Sequence, residues 1–123
     1  MQIKLTPQRI AILDYLDGNK SHPCAEDIYK SVLKQFPTMS FATVYNTLEA
    51  LKKRDSIQEL KIDPHRKRYD PDMSRHHHLI CTKCNSIADV HRDFTIDLPE
   101  DMTSGFEVHG NAIEFYGICQ KCR

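Results

Sequence analysis

Cys81-Thr-Lys-Cys84 and Cys119-Gln-Lys-Cys122 are two CxxC pairs. A CxxC turn presents two thiolates on one side of a knuckle, and two knuckles complete a tetrahedral all-sulfur site. Four soft thiolates with no open position suit a structural Zn2+. The pairs are 34 residues apart, more than the roughly 15–20 of a short zinc ribbon. A redox dithiol is the competing chemistry for one such pair, and two pairs argue against it. The zinc would pin the C-terminal strand to the first strand of its unit. A unit of about 50 residues has too small a core to be comfortable without such a staple.

A second group stands beside the first. His76-His77-His78 precedes Cys81, and Asp89 and His91 follow it. Residues two apart on a strand face the same side. His76 and His78 therefore project together with His77 turned away, and Asp89 and His91 project together. Two imidazoles and a carboxylate on neighbouring strands make an N/O site that suits Fe2+, Mn2+ or Zn2+. The competing reading is a solvated histidine run. Spacing alone leaves the remaining ligands open.

These residues need a scaffold, and the composition says what kind. The chain has 123 residues, 40% hydrophobic and 28% charged, with 5 Cys and 7 His. That is an ordinary globular balance and not a disordered one. Seventeen basic and 17 acidic residues cancel, which argues against a histone-like or ribosomal protein. No apolar run approaches the roughly 18 residues of a membrane span, and no signal-peptide core is present. A cytoplasmic protein without membrane association is expected. The neutral sum hides a split: residues 1–70 hold 12 basic and 9 acidic residues, and residues 71–123 hold 5 and 8. Seven of the basic residues lie between Lys52 and Arg68. The split reads as two small units joined near Pro71 to Ser74, where Asp70-Pro71-Asp72 supplies turn chemistry.

In the first unit, Thr6-Pro7 is a helix start. Ile10, Ile12, Leu13 and Leu16 follow as its buried stripe, and Gly18-Asn19 stops it. A second helix is predicted from about Cys24 to Phe36, ended by Pro37. Ser40 caps a third through about Arg54, with Phe41, Val44, Leu48 and Leu51 inward and Thr43, Tyr45, Asn46 and Lys53 turned away. Tyr45 has core packing as its competing role. Ile57 to Ile62 and Arg66 to Asp70 read as a basic hairpin. Three helices and a hairpin are the winged helix-turn-helix plan. In the second unit, strands are predicted at His77–Cys81, Ile87–His91, Phe106–Val108 and Ile113–Ile118, with a short helix near Pro99. The expected fold is α+β: an N-terminal winged helix-turn-helix domain, 1–72, then a small α/β domain, 73–123, with a three-stranded antiparallel sheet.

The motifs together resemble the ferric uptake regulator family, most of all its peroxide-sensing branch. They are Thr6-Pro-Gln-Arg9, His22-Pro-x-Ala-x-x-Ile-Tyr29, Ser40-x-Ala-Thr-Val-Tyr-Asn46, Arg68-Tyr-Asp70, His76-x-His-x-x-Cys-x-x-Cys84 and Tyr116-Gly-x-Cys-x-x-Cys122. The resemblance implies a homodimeric, metal-dependent transcriptional repressor, not an enzyme, whose second domain dimerises. It implies structural Zn2+ at Cys81, Cys84, Cys119 and Cys122. It implies regulatory Fe2+ or Mn2+ at His22, Asp70, His76, His78 and Asp89. Asp89 is the peroxide-branch residue where iron-sensing relatives usually have Glu, and by similarity His22 and His76 are the histidines open to oxidation. The partner is double-stranded operator DNA. Thr43, Tyr45 and Asn46 would read bases. Arg9, Ser40, Lys53, Arg66 and Lys67, with Lys52, Arg54 and Arg68, would contact phosphates.

Three departures colour the transfer. The leading helix of many relatives has no counterpart before Thr6, so DNA affinity or site preference is expected to differ. Cys24 stands where relatives carry a Ser or Thr cap, and a buried small hydrophobe is favoured there over a second redox sensor. Residues 94–105 are shorter than the usual dimerisation region. An accessory metal site around His77, Asp93, His109 and Asn111 is not expected. Two alternatives stand: an iron-, manganese- or zinc-responsive uptake repressor without oxidation chemistry, and, from another class, a zinc or redox module using the CxxC pairs.

Overall fold

Thr6 starts the first helix as its hydroxyl predicts, accepting the Arg9 N–H at 3.2 Å with Pro7 in the first turn. The computed structural model describes residues 4–123. They divide into two compact units, the first ending at Ser74 and the second beginning at Arg75. The order in the first is α1 (Pro7–Leu16), α2 (Ala25–Leu33), α3 (Phe41–Lys53), β1 (Gln58–Leu60) and β2 (Arg68–Asp70).

Helix α1 turns Ile12 and Leu16 inward. Ile10, expected in that stripe, is 44% exposed, because two residues from Ile12 is roughly 200° around the helix. Helix α2 stops three residues short of Phe36. Phe36 closes it with an N–H to the Val32 carbonyl at 2.9 Å, and Pro37 discourages further helix at the residue before it. Ser40 caps α3 by accepting the Thr43 N–H at 3.2 Å, and Val44, Leu48 and Leu51 are buried. Phe41, expected inward, is partly exposed and meets Tyr29 edge-on at 5.6 Å. The core joins Ile12, Leu16, Ile28, Val32, Val44, Leu48 and Leu51 with Ile57 and Tyr69 of the hairpin. Strands β1 and β2 are antiparallel, with Glu59 opposite Tyr69.

The second unit contains β3 (His77–Cys81), β4 (Ile87–Val90), a single 3-10 turn (Glu100–Met102) and β5 (Glu114–Gly117). Its sheet has three strands in the order β4-β3-β5. It is mixed, which corrects the antiparallel expectation: β4 runs antiparallel to β3, but β5 runs parallel to it. Adjacent strands joined by a tight turn must be antiparallel, whereas residues 91–113 form a connection long enough to return the chain to the starting end of β3. The expected strand at Phe106–Val108 does not form, and both residues are exposed. The expected helix near Pro99 is only the 3-10 turn. Among the described residues no helix is long and apolar enough to cross a membrane.

Candidate metal centres and nucleic-acid face

Strand pairing brings the cysteine knuckles together. Cys81 ends β3 and lies opposite Gly117 at the end of β5, and the Thr82 N–H donates to the Gly117 carbonyl at 2.9 Å. Parallel pairing thus delivers both CxxC turns to one end of the sheet. The four sulfurs lie within 4.8 Å of one another, and Cys84 and Cys119 are 3.7 Å apart. A disulfide needs about 2.05 Å. A tetrahedral ion with bonds of about 2.3 Å has ligand edges of about 3.8 Å, so the donor set fits zinc. All are free thiols. Cys81 Sγ accepts N–H groups from Cys119 at 3.4 Å and Cys84 at 3.5 Å. These backbone donors hold its thiol at about 6, from an ordinary 9.0. Cys119 is held low chiefly by the hydrogen bond it accepts from the Cys122 thiol, and Cys122 is pushed up to about 12 chiefly by donating that bond.

The histidines alternate as strand geometry requires. His78 lies opposite Asp89, with Nε2 3.5 Å from Oδ1. His76 Nε2 is 3.2 Å from the same oxygen, and the two rings are 4.6 Å apart. His77 faces away: its Nδ1 accepts the Ile113 N–H at 2.9 Å beside the Phe94 ring. His91 stacks on His76 at 4.8 Å, as the shared face with Asp89 suggested. In the first unit His22 Nε2 lies 3.3 Å from Asp70 Oδ2, both buried. His22 has φ +52°, a left-handed backbone that costs a residue with a β-carbon about 1–2 kcal/mol. Imidazoles and carboxylates suit Fe2+ or Mn2+, and no thiol shares either cluster.

The outer face of α3 carries Tyr45 and Asn46, both exposed. Thr43 is half-buried, its hydroxyl 2.9 Å from that of Ser40. Lys53 is exposed. Arg9 donates to the Lys4 carbonyl at 2.6 Å. Lys67 lies 3.2 Å from the Tyr45 hydroxyl, 3.4 Å from Glu59 and within reach of Glu49. Lys52 meets Glu59 at 3.0 Å and Glu49 at 3.1 Å. These two lysines are engaged with the protein itself, and Lys67 is raised above its ordinary value by Tyr45 first and Glu59 next. Arg66 is half-exposed and sits 3.6 Å from Cys24 Sγ. Cys24 is buried at the start of α2, and burial pushes its thiol up. Arg68 differs from its basic neighbours: its side chain is 12% exposed and turns inward onto the segment holding His22. The signal for this was available, since Arg68 and Asp70 are two apart on one strand and face one side.

The family model that matches this chain, over residues 1–116, is the ferric uptake regulator family. The chain belongs to the ferric uptake regulator family. This is a family of regulators, not enzymes. The chain is 41% identical over 123 residues to the peroxide operon regulator of Bacillus subtilis (strain 168), covering 98% of this chain and 84% of that protein. Its fold is similar to the iron-bound ferric uptake regulator of Francisella tularensis, with a TM-score of 0.76, 26% identity, and coverage of 99% of this chain and 96% of the other. It is also similar to PerR from Streptococcus pyogenes, described for peroxide sensing and gene regulation, with 32% identity, a TM-score of 0.55, and coverage of 99% and 85%.

Proposed function

We propose that the chain is a metal-dependent, DNA-binding transcriptional repressor that senses hydrogen peroxide through oxidation of ligand histidines. The observation that carries this reading is the 41% identity to a peroxide operon regulator over 98% of the chain, joined to an aspartate, not a glutamate, beside His76 and His78. Residues 1–72 act as a winged helix-turn-helix domain and residues 73–123 as a metal-binding dimerisation domain. The exposed apolar side chains Ile96, Met102, Phe106 and Tyr116 in the second unit support a homodimer. The protein works in the cytoplasm on double-stranded operator DNA.

Cys81, Cys84, Cys119 and Cys122 hold Zn2+ and clamp the ends of β3 and β5. His22 and Asp70, with His76, His78 and Asp89, hold Fe2+ or Mn2+. Ligands drawn from both domains favour one hinge geometry, and a cation that binds that geometry better shifts the population toward it. The two recognition helices of a dimer then match two half-sites. Fe2+ held by these residues would supply the one-electron chemistry that activates hydrogen peroxide beside the imidazoles of His22 and His76, with the electron returned as the ring is oxidised. His22 or His76 gains one oxygen atom per peroxide consumed, with water as the other product. The oxidised ring is a poorer donor, the hinge loosens, and the operator is released. Thr43, Tyr45 and Asn46 read base edges. Ser40, Arg9, Lys53, Arg66 and Lys67 hold phosphates.

The test of the class is duplex binding. Zinc-loaded protein should retard operator-like DNA with Mn2+ and lose that binding on chelation of Mn2+. His76→Ala should bind no DNA under either condition while keeping its zinc. Absence of duplex binding with every divalent metal contradicts the repressor reading.

A further inference from the structure

The residue before a proline is biased toward extended backbone, yet His22, before Pro23, lies at φ +52°. It is also fully buried. Something must hold it there, and β2 does so. Arg68 Nε donates to the His22 carbonyl. Its Nη2 donates to the Ser21 carbonyl at 3.3 Å. The Tyr69 N–H donates to the Pro23 carbonyl at 2.8 Å. Three successive carbonyls on either side of the strained residue are thus received by two successive residues of one strand.

Arg68 is itself held. Its Nη1 lies 3.4 Å from Asp63 Oδ2. The Asp63 side chain is 1% exposed, and its Oδ1 accepts the His65 N–H at 2.9 Å. Arg66 Nε lies 3.7 Å from Oδ2 of the same carboxylate. The carboxyl is held below its ordinary value by the His65 N–H first and by Arg68 as well, against the opposing pull of burial. A rigid guanidinium fork suits this task, since one planar group meets a carboxylate and two carbonyls at once. The strand then contributes twice to one residue. Arg68 grips the His22 backbone, while Asp70, two positions on and facing the same side, meets its imidazole at 3.3 Å.

We propose that Arg68, anchored by Asp63, is a positioning residue that fixes His22 in its left-handed conformation for metal binding and ties it to the hairpin tip at 63–66. The proposal rests on the reading of His22 as a ligand. Without the clamp, the backbone relaxes toward the extended form that a residue before proline prefers, and the imidazole leaves Asp70. The same connection gives a change at His22 a short route to Arg66 within one unit: His22 carbonyl, Arg68, Asp63, Arg66.

The test uses the full chain with its zinc, and Mn2+ alone as the added metal, followed by calorimetry. Arg68→Gln should weaken Mn2+ binding about 10–100-fold, the range for residues that orient metal ligands. Arg68→Lys should fall between it and the parent, and zinc per chain should not change. Unchanged Mn2+ affinity in Arg68→Gln overturns the proposal. A second readout needs no metal at the regulatory site. In protein labelled with 15N-histidine, Arg68→Gln should shift or double the His22 ring signals and leave those of His76 and His78 in place. Unmoved His22 signals overturn the clamp, and so does a common shift of every histidine, which marks general loosening. If the parent binds no Mn2+ yet the His22 signals move selectively, the clamp stands and the ligand reading fails.

Discussion

Asp89 presents one carboxylate oxygen to two imidazoles, 3.2 Å from His76 Nε2 and 3.5 Å from His78 Nε2. It reaches both because β4 pairs antiparallel with β3 and sets Asp89 opposite His78. Removing that charge leaves Asp70 as the one carboxylate of the proposed ligand set to balance a divalent cation. Asp89→Ala should weaken Mn2+ binding by about a hundredfold or more, the scale of breaking a buried charge pair. Metal-dependent DNA retardation should vanish with it. Calorimetry checks the first, and parent-like affinity contradicts the site.

Asp89→Glu separates binding from oxidation. The longer carboxylate keeps the charge and should keep Mn2+-dependent DNA binding. It should lower the yield of oxidised histidine after Fe2+ and peroxide, measured as the fraction of oxygen-bearing peptide. Equal yields would remove Asp89 as the residue that distinguishes peroxide sensing.

The thiolate cluster should act as the staple of its unit. The second unit buries little apart from Ile80, Cys81, Ile87 and His76, His77 and His78, whereas apparent zinc binding energies reach about 10–16 kcal/mol in small structural sites. Cys119→Ser should lose zinc, measured by atomic emission, and lose NMR dispersion for residues 75–123. The helices of the first unit should persist. Full dispersion without zinc contradicts the staple.

Acid should loosen the hairpin from α3. Burial pushes the Glu59 carboxyl up, but Lys52 and then Lys67 outweigh burial and hold it below its ordinary 4.5. A depressed folded value means that the ionised form is favoured by folding. Its stabilisation is complete above the unfolded value and is lost as pH falls below about 4.5 through the lower folded value. Glu59→Gln should therefore flatten the fall in thermal midpoint over that acid window. A parental acid profile in Glu59→Gln would falsify this assignment.

DNA contacts of two kinds should separate by salt. Asn46→Ala should cost about 1–3 kcal/mol of discrimination against altered operators. Lys53→Ala should weaken all duplexes alike and reduce the salt slope by about 0.9. Fluorescence anisotropy across salt and sequence reads both.

Much of the scaffold and the site was legible in the residues. Thr6-Pro7 and Ser40 start their helices because each hydroxyl finds the N–H three residues on. The two CxxC pairs meet, and His76 and His78 share a face that His77 avoids, because those relations follow from turn and strand geometry alone. The direction of β5 was legible only through the zinc site. Alternation has the same period in parallel and antiparallel strands and the long connection over 91–113 permits either, but two CxxC pairs that each stand at the C-terminal end of a strand share one ion only if those neighbouring strands are parallel. The inward turn of Arg68 could be read only from its place two residues before Asp70 on one strand, because the run Arg66-Lys67-Arg68 taken by itself reads as solvated charge. The left-handed His22 is beyond local reading altogether, because the Pro23 that follows argues for the opposite conformation.

The most direct test of peroxide sensing is a mass measurement on the histidine ligands. Protein carrying zinc and Fe2+ is treated with hydrogen peroxide, digested with trypsin and weighed. A gain of one oxygen on the peptide bearing His22 or His76, absent when Mn2+ replaces Fe2+, and in step with loss of operator binding, is the result expected. Unmodified His22 and His76 peptides with operator binding intact would contradict peroxide sensing and leave a reversible metal-responsive repressor.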